Sequence, residues 1–319
     1  MNILLTGASG LLGAHLLEVG LNLGHSFKAI SRKVSKRSFL STVLEREEIE
    51  WIEADLTNQE SWPQDLFKDV DLVINCGGLA SPFLEDQDKM RELNITATKN
   101  LFELAKKSGI KEWVQISSVS TLSDGSTDMV NESHIGSFRK TPYAESKFEI
   151  DQWLETQNDM SLLTIHPCYM LGKWDARPSS GSLILAMRMG KFKYFIEGNK
   201  NFVSPTDVAM GTFKAIEKSC SGHYVLGGEN RSIKEFATEV IKKLNLELDN
   251  FSFYSKEGFS KIELSEREKC IVAEFCQASS VDIAKAKKDF GYDPKMTFSQ
   301  QLEEAIDFFL EKRLLRIKK

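Results

Sequence analysis

Three side chains in the middle of the chain could move a proton to or from an oxygen atom. Tyr143 and Lys147 are four residues apart in a segment with helical spacing, so they share one face of a predicted helix. A phenol with an ordinary pKa of about 10 is a weak catalyst at neutral pH, and a neighbouring ammonium lowers that pKa by favouring the phenolate. Ser118 follows a predicted strand, where its hydroxyl could hold a substrate carbonyl. The Tyr-x-x-x-Lys spacing alone also arises on purely structural helices, but the three residues together predict acid–base chemistry at a carbonyl or alcohol oxygen.

A second motif, at the N-terminus, could hold a pyrophosphate. Gly7, Gly10 and Gly13 follow a predicted strand and open a predicted helix, which is the context that a dinucleotide-binding fingerprint requires. In that interpretation the first glycine makes the tight turn, the second admits the pyrophosphate, and the third lets helix and strand pack closely. The helix N-terminus adds free N–H groups and a positive dipole end. The spacing is GxxGxxG rather than GxGxxG, and a glycine-rich turn without a ligand is the alternative.

The end of the second predicted strand bears on which dinucleotide is bound. An acidic residue there would accept hydrogen bonds from the ribose 2′-OH and favour NAD. The chain has Ser31-Arg32-Lys33 instead, with Lys36 and Arg37 close by, and cations suit a 2′-phosphate. We therefore predict NADP as the cofactor, with NAD possible; a solvated basic loop is the alternative interpretation.

Two further strand ends are candidates for cofactor contacts. Asp55 and Leu56 follow the third predicted strand and would lie beside the adenine, although an ordinary helix N-cap explains them equally well. Gly77 and Gly78 follow the fourth strand, where small residues would let the main chain run alongside the cofactor. A plain turn is the competing explanation for the two glycines.

The elements that must position these residues alternate along the first half of the chain. An amphipathic helix is predicted over residues 89–107. Strands are predicted at residues 3–6, 27–31, 49–54, 72–76, 113–116 and 162–165. Repeated β-α-β units with buried-type strands predict a parallel sheet with helices on both faces. The fold class predicted is therefore α/β, with a doubly wound, parallel Rossmann sheet.

After Gly172 the alternation stops and helical segments dominate. Helices are predicted near residues 183–189, 208–218, 233–244, 283–290 and from 298 to the C-terminus. We predict a Rossmann domain over residues 1–172 and a smaller, mostly helical substrate lobe over residues 173–319, without excluding that the chain crosses back into the first domain.

Composition limits the classes of partner and site. The chain has 319 residues and a net charge of −5, which gives no electrostatic reason to expect nucleic acid. Its five cysteines and five histidines show no metal-ligand spacing, so no metal site is predicted. Scattered cysteines fit a reducing cytoplasm. We expect a cytoplasmic protein with neither a signal peptide nor a membrane span, since no apolar run approaches the roughly 20 residues required.

Taken together, the motifs resemble those of the extended short-chain dehydrogenase/reductase family. That family includes nucleotide-sugar epimerases and dehydratases and the dihydroflavonol-reductase-like carbonyl reductases. The resemblance covers essentially the whole chain and rests on Thr6 to Gly13, Ala54 to Leu56, Asn94, Ser117-Ser118, Pro142 to Lys147 with Glu149, His166 to Gly172, Asn201 to Val203, Asp207 to Ala209, Tyr224 to Gly228 and Phe290 to Pro294.

The resemblance implies roles for individual residues. Ser118, Tyr143 and Lys147 would be the catalytic triad, Lys147 would also bind the nicotinamide ribose, and Asn94 would support the active site. A homodimer through two helices of the Rossmann domain is common in the family and is open here. The implied cofactor contacts are Gly7, Ser9, Gly10, Leu11, Leu12, Asp55, Leu56, Gly77, Gly78, Tyr143, Lys147 and Pro167, to which the charge argument adds Arg32.

Departures from the sugar-nucleotide pattern bear on the substrate. Tyr169 stands where those enzymes usually have Asn, and Lys200 where they often have Arg, so a diphosphate clamp is weakened. His166 replaces a frequent Arg, and Arg32 resembles the NADP-using reductases. The segment Pro167 to Gly172, followed by Trp174 to Pro178, looks more like the dihydroflavonol-reductase-like branch. The leading hypothesis is an NADP(H)-dependent oxidoreductase acting on a small-molecule ketone, aldehyde or alcohol. The alternatives are an NAD-dependent nucleotide-sugar epimerase or dehydratase and a non-catalytic relative.

Overall fold

Within the described residues, seven parallel strands form the central sheet. The computed structural model describes residues 1–32, 46–123, 129–138, 141–259, 261–275 and 279–315. The sheet order is β11-β7-β5-β4-β1-β2-β3. Its strands are β1 (Asn2–Thr6), β2 (Ser26–Ser31), β3 (Ile49–Glu53), β4 (Leu72–Asn75), β5 (Glu112–Ile116), β7 (Ser161–Pro167) and β11 (Gly222–Leu226).

The strands are buried on both faces, which is why they are apolar runs rather than alternating sequences. In β1, Ile3, Leu4 and Leu5 are all inaccessible to solvent. Ile3 and Leu5 belong to the apolar cluster on one face of the sheet, whereas Leu4 belongs to the cluster on the other face. Strands β2 and β3 lie on one side of β1, and β4 and β5 lie on the other, so the strand order reverses between β1 and β4. Ligands bind at such a switch point, beyond the carboxyl ends of the strands.

Eleven described helices cover the sheet and build the C-terminal part of the chain. They are α1 (Leu11–Asn22), α2 (Gln87–Met90), α3 (Thr98–Lys107), α4 (Pro142–Glu155), α5 (Ser182–Arg188), α6 (Pro205–Glu217), α7 (Ile233–Lys243), α8 (Lys256–Phe259), α9 (Glu266–Phe275), α10 (Ala284–Phe290) and α11 (Phe298–Glu311). The helix predicted over residues 89–107 is α2 and α3 joined by a π-helical turn, Arg91–Ala97. Such turns often occur at functional sites, and this one carries Asn94.

The remaining strands form small sheets outside the central one. They are β6 (Met129–Val130), β8 (Tyr169–Met170), β9 (Tyr194–Ile196), β10 (Asn199–Val203), β12 (Glu229–Ser232), β13 (Ser252–Tyr254) and β14 (Ser280–Val281). Strands β12, β10 and β8 form one small sheet, while β13 pairs with β9 and β14 pairs with β6. Helices nevertheless make up most of the regular structure after residue 172.

The predicted α/β fold class, with its doubly wound Rossmann sheet, is confirmed. All six predicted strands are found, and their ends differ from the prediction by at most two residues. The seventh strand, β11, was not predicted. It comes from the C-terminal part and pairs with β7 at the edge of the sheet, while α6 packs against α1. Residues 222–226 therefore add a strand to the sheet that the N-terminal half of the chain forms. Among the described residues, no helix combines the length and apolar character needed to cross a membrane.

Candidate active site

The glycine loop between β1 and α1 has no room for a side chain at Gly7 or Gly13. Gly7 has a φ of +66°, and a Cβ atom there would lie 2.7 Å from the carbonyl oxygen of Cys76. A Cβ atom on Gly13 would lie 2.1 Å from the carbonyl oxygen of Gly7. Gly10 caps α1 without any side-chain hydrogen bond, so the first N–H groups of this helix have no side-chain partner at the cap. The loop therefore has the close backbone approach that the sequence predicted.

The ends of β3 and β4 meet this loop. Gly77 donates its N–H to Thr6 Oγ1 at 2.8 Å, and a Cβ atom on Gly77 would lie 2.6 Å from Leu56 Cδ1. Leu11 is half-buried and Leu12 is buried at the start of α1. Pro167 is the last residue of β7. The structure thus brings the predicted cofactor residues of β1, β3 and β4 together along one edge of the sheet.

Two arginines lie near one another beside this edge. Arg32 is exposed just after β2, and Arg177 Nη2 lies 3.5 Å from Ser9 Oγ in the glycine loop. Partial burial and the charge of Arg32 both lower the pKa of Arg177. Burial raises the pKa of Asp55, but hydrogen bonds from Thr57 and the charge of Arg32 outweigh it and bring the value below its usual range. Lys33, Lys36 and Arg37 lie outside the described residues.

Arg177 was not among the predicted site residues. Its loop is shaped by the buried carboxylate of Asp175, which accepts the main-chain N–H groups of Ser179 and Gly181, each at 2.9 Å to its nearer oxygen. The signal available in the sequence was an Asp followed by Pro, Ser and Gly residues, which is typical of a fixed turn. That signal predicts a turn, but it does not predict that Arg177 approaches Ser9 in the glycine loop.

Helix α4 places Lys147 against the end of β5. Thr141 caps the helix by accepting the N–H of Ala144, and Pro142 occupies the first turn. Lys147 is buried and donates from Nζ to the carbonyl oxygen of Ile116 at 2.8 Å. Tyr143 is half-buried one helical turn earlier. Burial lowers the pKa of Lys147, and the carboxylate of Asp151 opposes that shift.

Ser118 is held two residues beyond β5. Its Oγ accepts hydrogen bonds from the N–H of Ser120 at 3.1 Å and from Ser120 Oγ at 2.9 Å. A hydroxyl has two acceptor positions and one donor position. Since Ser120 occupies the acceptor side, the hydroxyl hydrogen of Ser118 remains for an oxygen outside this turn.

Asn94 and Gly78 complete the surroundings of Lys147. The Asn94 amide accepts the N–H of Leu79 at 2.8 Å and donates to its carbonyl oxygen at 3.0 Å. Asn94 also donates to Ser146 Oγ at 2.9 Å. A Cβ atom on Gly78 would lie 3.2 Å from Asn94 Oδ1 and 3.3 Å from Lys147 Nζ. The main chain after β4 therefore passes directly over the buried ammonium.

Two histidines without a predicted role contact each other behind Ser118. His166 on β7 and His223 on β11 approach within 2.8 Å between Nε2 and Nδ1. Asp151 is also buried, accepts the Ser117 hydroxyl, and has its pKa raised to about 7, chiefly by burial. Within the described residues, no group of three or more His, Cys, Asp or Glu side chains is placed to hold a metal ion.

The strand order and the glycine loop are those of a dinucleotide-binding Rossmann sheet. A sequence model of the NAD dependent epimerase/dehydratase family matches residues 3–227, and the chain belongs to that family. The predicted resemblance is confirmed.

The similar proteins include reductases, dehydrogenases and epimerases. A putative dihydroflavonol 4-reductase of Synechocystis sp. is 26% identical, over 72% of this chain and 68% of its own length. A decarboxylating sterol-4-alpha-carboxylate 3-dehydrogenase of Mus musculus is 24% identical, over 95% of this chain and 89% of its own. The fold matches that of UDP-glucuronic acid 4-epimerase from Bacillus cereus in complex with NAD, with a TM-score of 0.80, 20% identity, and coverage of 99% of this chain and 100% of that one.

The residues present fit a nicotinamide dinucleotide. Glycines stand where a Cβ atom would collide with the main chain of the neighbouring loop, as at Gly7 and Gly13. An uncapped helix N-terminus and two nearby cations suit the negative charge of a pyrophosphate.

Proposed function

We propose that this chain is an NADP(H)-dependent oxidoreductase that interconverts a ketone or aldehyde and the corresponding alcohol. Ser118, Tyr143 and Lys147 are its catalytic residues. The observation that carries the proposal is the bond from Lys147 Nζ to the carbonyl oxygen of Ile116. It fixes a buried ammonium one helical turn from Tyr143 and beside the strand end that leads to Ser118.

Each of these residues has a defined task in proton transfer. A bound nicotinamide supplies or accepts the hydride. The hydroxyl hydrogen of Ser118, which its bonds with Ser120 leave available, holds the substrate oxygen. Tyr143 Oη gives a proton to that oxygen in reduction and removes it in oxidation, because the charge of Lys147 stabilises the phenolate.

Two cations support NADP rather than NAD. Arg177 Nη2 lies 3.5 Å from Ser9 Oγ in the glycine loop, and Arg32 is near enough for its charge to lower the pKa of Arg177. The end of β2 is Ser31 rather than a carboxylate. Arginine recognises phosphate oxygens with paired, charge-assisted hydrogen bonds. The 2′-phosphate of NADP would lie between the end of β2 and the loop that carries Arg177.

The contacts of Tyr169 and Lys200 support a substrate without a diphosphate. Lys200 is buried, donates from Nζ to the carbonyl oxygen of Phe275 at 2.8 Å, and lies 5.0 Å from the ring centroid of Tyr169. Tyr169 Oη donates to the carbonyl oxygen of Ser180 at 2.5 Å. The two positions that differ from the sugar-nucleotide pattern therefore contact each other and the lobe, so neither is arranged as a phosphate clamp.

A binding titration tests the cofactor. We expect tighter binding of NADPH than of NADH, and a loss of about ten- to a hundredfold in NADPH affinity for Arg32→Ala and for Arg177→Ala, since each removes a charged hydrogen bond. Affinity for NADH should change little. Arg91→Ala, which removes an exposed guanidinium paired with Glu149, is the control. Equal NADPH affinity in all four proteins would contradict the proposal.

A kinetic experiment tests the chemistry. Tyr143→Phe should lower kcat for reduction of ketones and aldehydes by about 100- to 10,000-fold while dinucleotide binding persists, because general acid–base catalysis contributes that much. Tightly held NAD in the purified protein, together with binding of a nucleotide sugar, would instead support an epimerase or dehydratase. No dinucleotide binding would contradict both functions.

A further inference from the structure

A row of buried polar side chains crosses the central sheet near the carboxyl ends of its strands. Thr6 on β1 lies opposite Asn75 on β4, and Asn75 lies opposite Gln115 on β5. All three residues of this polar row are at most 1% exposed. The row shares one face of the sheet with the apolar residues two positions earlier in each strand. Buried polar groups cost free energy unless they are hydrogen-bonded, so their partners must account for their presence.

Hydrogen bonds join the polar row to the main chain after β4 and to α3. Gly77 donates its N–H to Thr6 Oγ1 at 2.8 Å, and Thr6 Oγ1 donates to Asn75 Oδ1 at 2.6 Å. Asn75 Nδ2 donates to Gln115 Oε1 at 3.0 Å and to Thr98 Oγ1 on α3 at 3.1 Å. The Asn75 amide therefore uses both of its hydrogens and its oxygen. The row is continuous from the candidate dinucleotide site at Gly77 to the side chain of Gln115.

Two groups with a single hydrogen-bonding role fix the orientation of the Gln115 amide. Trp113 Nε1 can only donate, and it lies 3.3 Å from Gln115 Oε1. The carbonyl oxygen of Ile116 can only accept, and it lies 3.3 Å from Gln115 Nε2. Both neighbours require the same orientation. Since Gln115 Oε1 then faces Asn75, the Asn75 amide must donate there with Nδ2, and its Oδ1 accepts the Thr6 hydroxyl.

The carbonyl oxygen at the end of this row also holds the candidate catalytic ammonium. Ile116 O accepts Lys147 Nζ at 2.8 Å. A carbonyl oxygen has two lone pairs, so Gln115 Nε2 occupies one acceptor position and Lys147 takes the other. On its other side the ammonium meets the main chain after β4, because a Cβ atom on Gly78 would lie 3.3 Å from Lys147 Nζ. The Gln115 amide therefore limits where Lys147 can bind.

We propose that Gln115 is a positioning residue for Lys147, and that the polar row through Asn75 and Thr6 ties this position to the main chain at Gly77. The amide directs the ammonium to one side of the carbonyl oxygen that both groups bind. Small displacements of a catalytic group lower reaction rates strongly, so a fixed ammonium favours catalysis. The kinetic consequence rests on the proposed function, whereas the position of Lys147 can be measured without a substrate.

Nitrogen-15 NMR of the Lys147 ammonium tests its position in the dinucleotide-free protein. The signal is assigned by its loss in Lys147→Arg. We expect it to shift in Gln115→Met, which has a similar length but no amide, because both acceptor positions of the carbonyl oxygen are then open. Thr164→Val is the matched control, since Thr164 lies opposite Gln115 on β7 and its buried Oγ1 has no hydrogen-bond partner among the described residues. An unchanged Lys147 signal in Gln115→Met would overturn the proposal.

The pH profile of alcohol oxidation separates positioning from a merely structural role. A displaced ammonium stabilises the phenolate of Tyr143 less, so Gln115→Met should need a higher pH for oxidation. We expect a shift of roughly half a pH unit, the effect of moving a charge by about 1 Å at contact distance, and a kcat about tenfold lower. Asp151 and Cys76, whose charges act on Lys147 within the described part of the chain, are unchanged in this variant. A lower kcat without the shift would indicate a disturbed sheet and would overturn the positioning role.

A second substitution tests the donor while keeping the polar row filled. In Gln115→Glu, a protonated carboxyl can accept from Trp113 and Asn75 with one oxygen and donate to the carbonyl oxygen of Ile116 with the other, as the amide does. The ionised carboxyl offers only acceptors, so it faces that oxygen with like charge and draws Lys147 away. We expect kcat, relative to the parent at the same pH, to fall in step with this ionisation, followed by carbon-13 NMR. A kcat that stays level while the carboxyl ionises would contradict the need for a donor.

The spectroscopic and kinetic readouts distinguish the two proposals. If the Lys147 signal shifts in Gln115→Met but the parent turns over no ketone, aldehyde or alcohol, the proposed function fails while the positioning by Gln115 stands. If the parent is active and the Lys147 signal is the same in both proteins, the positioning by Gln115 fails while the proposed function stands.

Discussion

A buried histidine outside the candidate active site, His15, should make the protein sensitive to acid. His15 is inaccessible on α1, its Nδ1 donates to the carbonyl oxygen of Leu11 at 2.8 Å, and its ring centroid lies 4.8 Å from that of Trp174. Its Nε2 has no hydrogen-bond partner among the described residues. Burial lowers the pKa of His15 to about 3, helped by the charge of Lys173 and opposed by the bond to Leu11.

The lowered pKa of His15 determines the direction and size of the change in stability with pH. The unfolded chain binds a proton at His15 with a pKa of 6.5 and the folded chain only at about 3, so the stability is fully present above pH 6.5 and is lost as the pH falls. At pH 5, about 1.5 units below the pKa of the unfolded state, protonation of the unfolded chain lowers the free energy of unfolding by about 2 kcal/mol. Protonation of Asp151, whose pKa is raised to about 7, acts in the opposite direction over the same range. The parent's pH dependence alone is therefore not diagnostic.

A comparison of the parent with His15→Leu isolates the contribution, because Asp151 titrates in both proteins. Urea unfolding of the dinucleotide-free proteins at pH 7 and pH 5 should show the stability difference shifting by about 2 kcal/mol in favour of His15→Leu on acidification. If the free energy of unfolding falls by about 3 kcal/mol per molar urea, this difference shifts the urea concentration at half-unfolding by roughly 0.7 M. His25→Leu, at a half-buried histidine, should show less. A stability difference that is the same at both pH values would refute the reasoning.

Two glycine substitutions test the close approaches in the site. Gly13→Ala places a methyl group 2.1 Å from the carbonyl oxygen of Gly7; we expect thermal unfolding to show a loss of about 1–3 kcal/mol and titration to show weaker dinucleotide binding. Unchanged binding would contradict the role of this contact. Gly78→Ala places a methyl group 3.3 Å from Lys147 Nζ and 3.2 Å from Asn94 Oδ1. If Lys147 acts as proposed, its slight displacement should lower kcat about tenfold with little change in melting temperature. A normal kcat would mean that this ammonium tolerates the displacement.

The parts of the fold that the sequence predicted are those with a repeated local pattern. The buried strands of the first half are short apolar runs ending at glycine or polar residues, and they were found almost to the residue. Strand β11 has the same character, an apolar run between Gly222 and Gly227, but it lies in a region dominated by helical spacing. The π-helical turn at Arg91–Ala97 leaves the amphipathic pattern almost intact, so the sequence predicted one regular helix there.

The site could be predicted only where its residues are neighbours in sequence. The glycine loop and the Tyr143–Lys147 pair are local motifs, and their spacing fixes their relative positions. His166 and His223 are far apart in the chain and meet only because β11 pairs with β7. A strand that was not predicted cannot place its side chains, which is why both histidines received no role. Arg177 was not predicted for the same reason, since its contact with Ser9, 168 residues earlier in the chain, depends on the tertiary fold.

The position of β11 at the edge of the sheet also has a consequence for how the chain is made. Strand β7 ends at Pro167 and its outer partner begins at Gly222. A ribosome adds about 5–20 residues per second, so roughly 3 to 11 seconds pass between the synthesis of the two strands. During that interval the outer edge of β7 has unpaired N–H and C=O groups, which can pair with other chains.

In the folded protein β11 is the edge strand of the sheet, and the carboxylate of Glu132 accepts the N–H of Val225 at 2.8 Å. The nascent chain is therefore most vulnerable to aggregation in the seconds before residue 226 emerges, and a chain released within that interval would lack both the edge strand and the histidine that it carries.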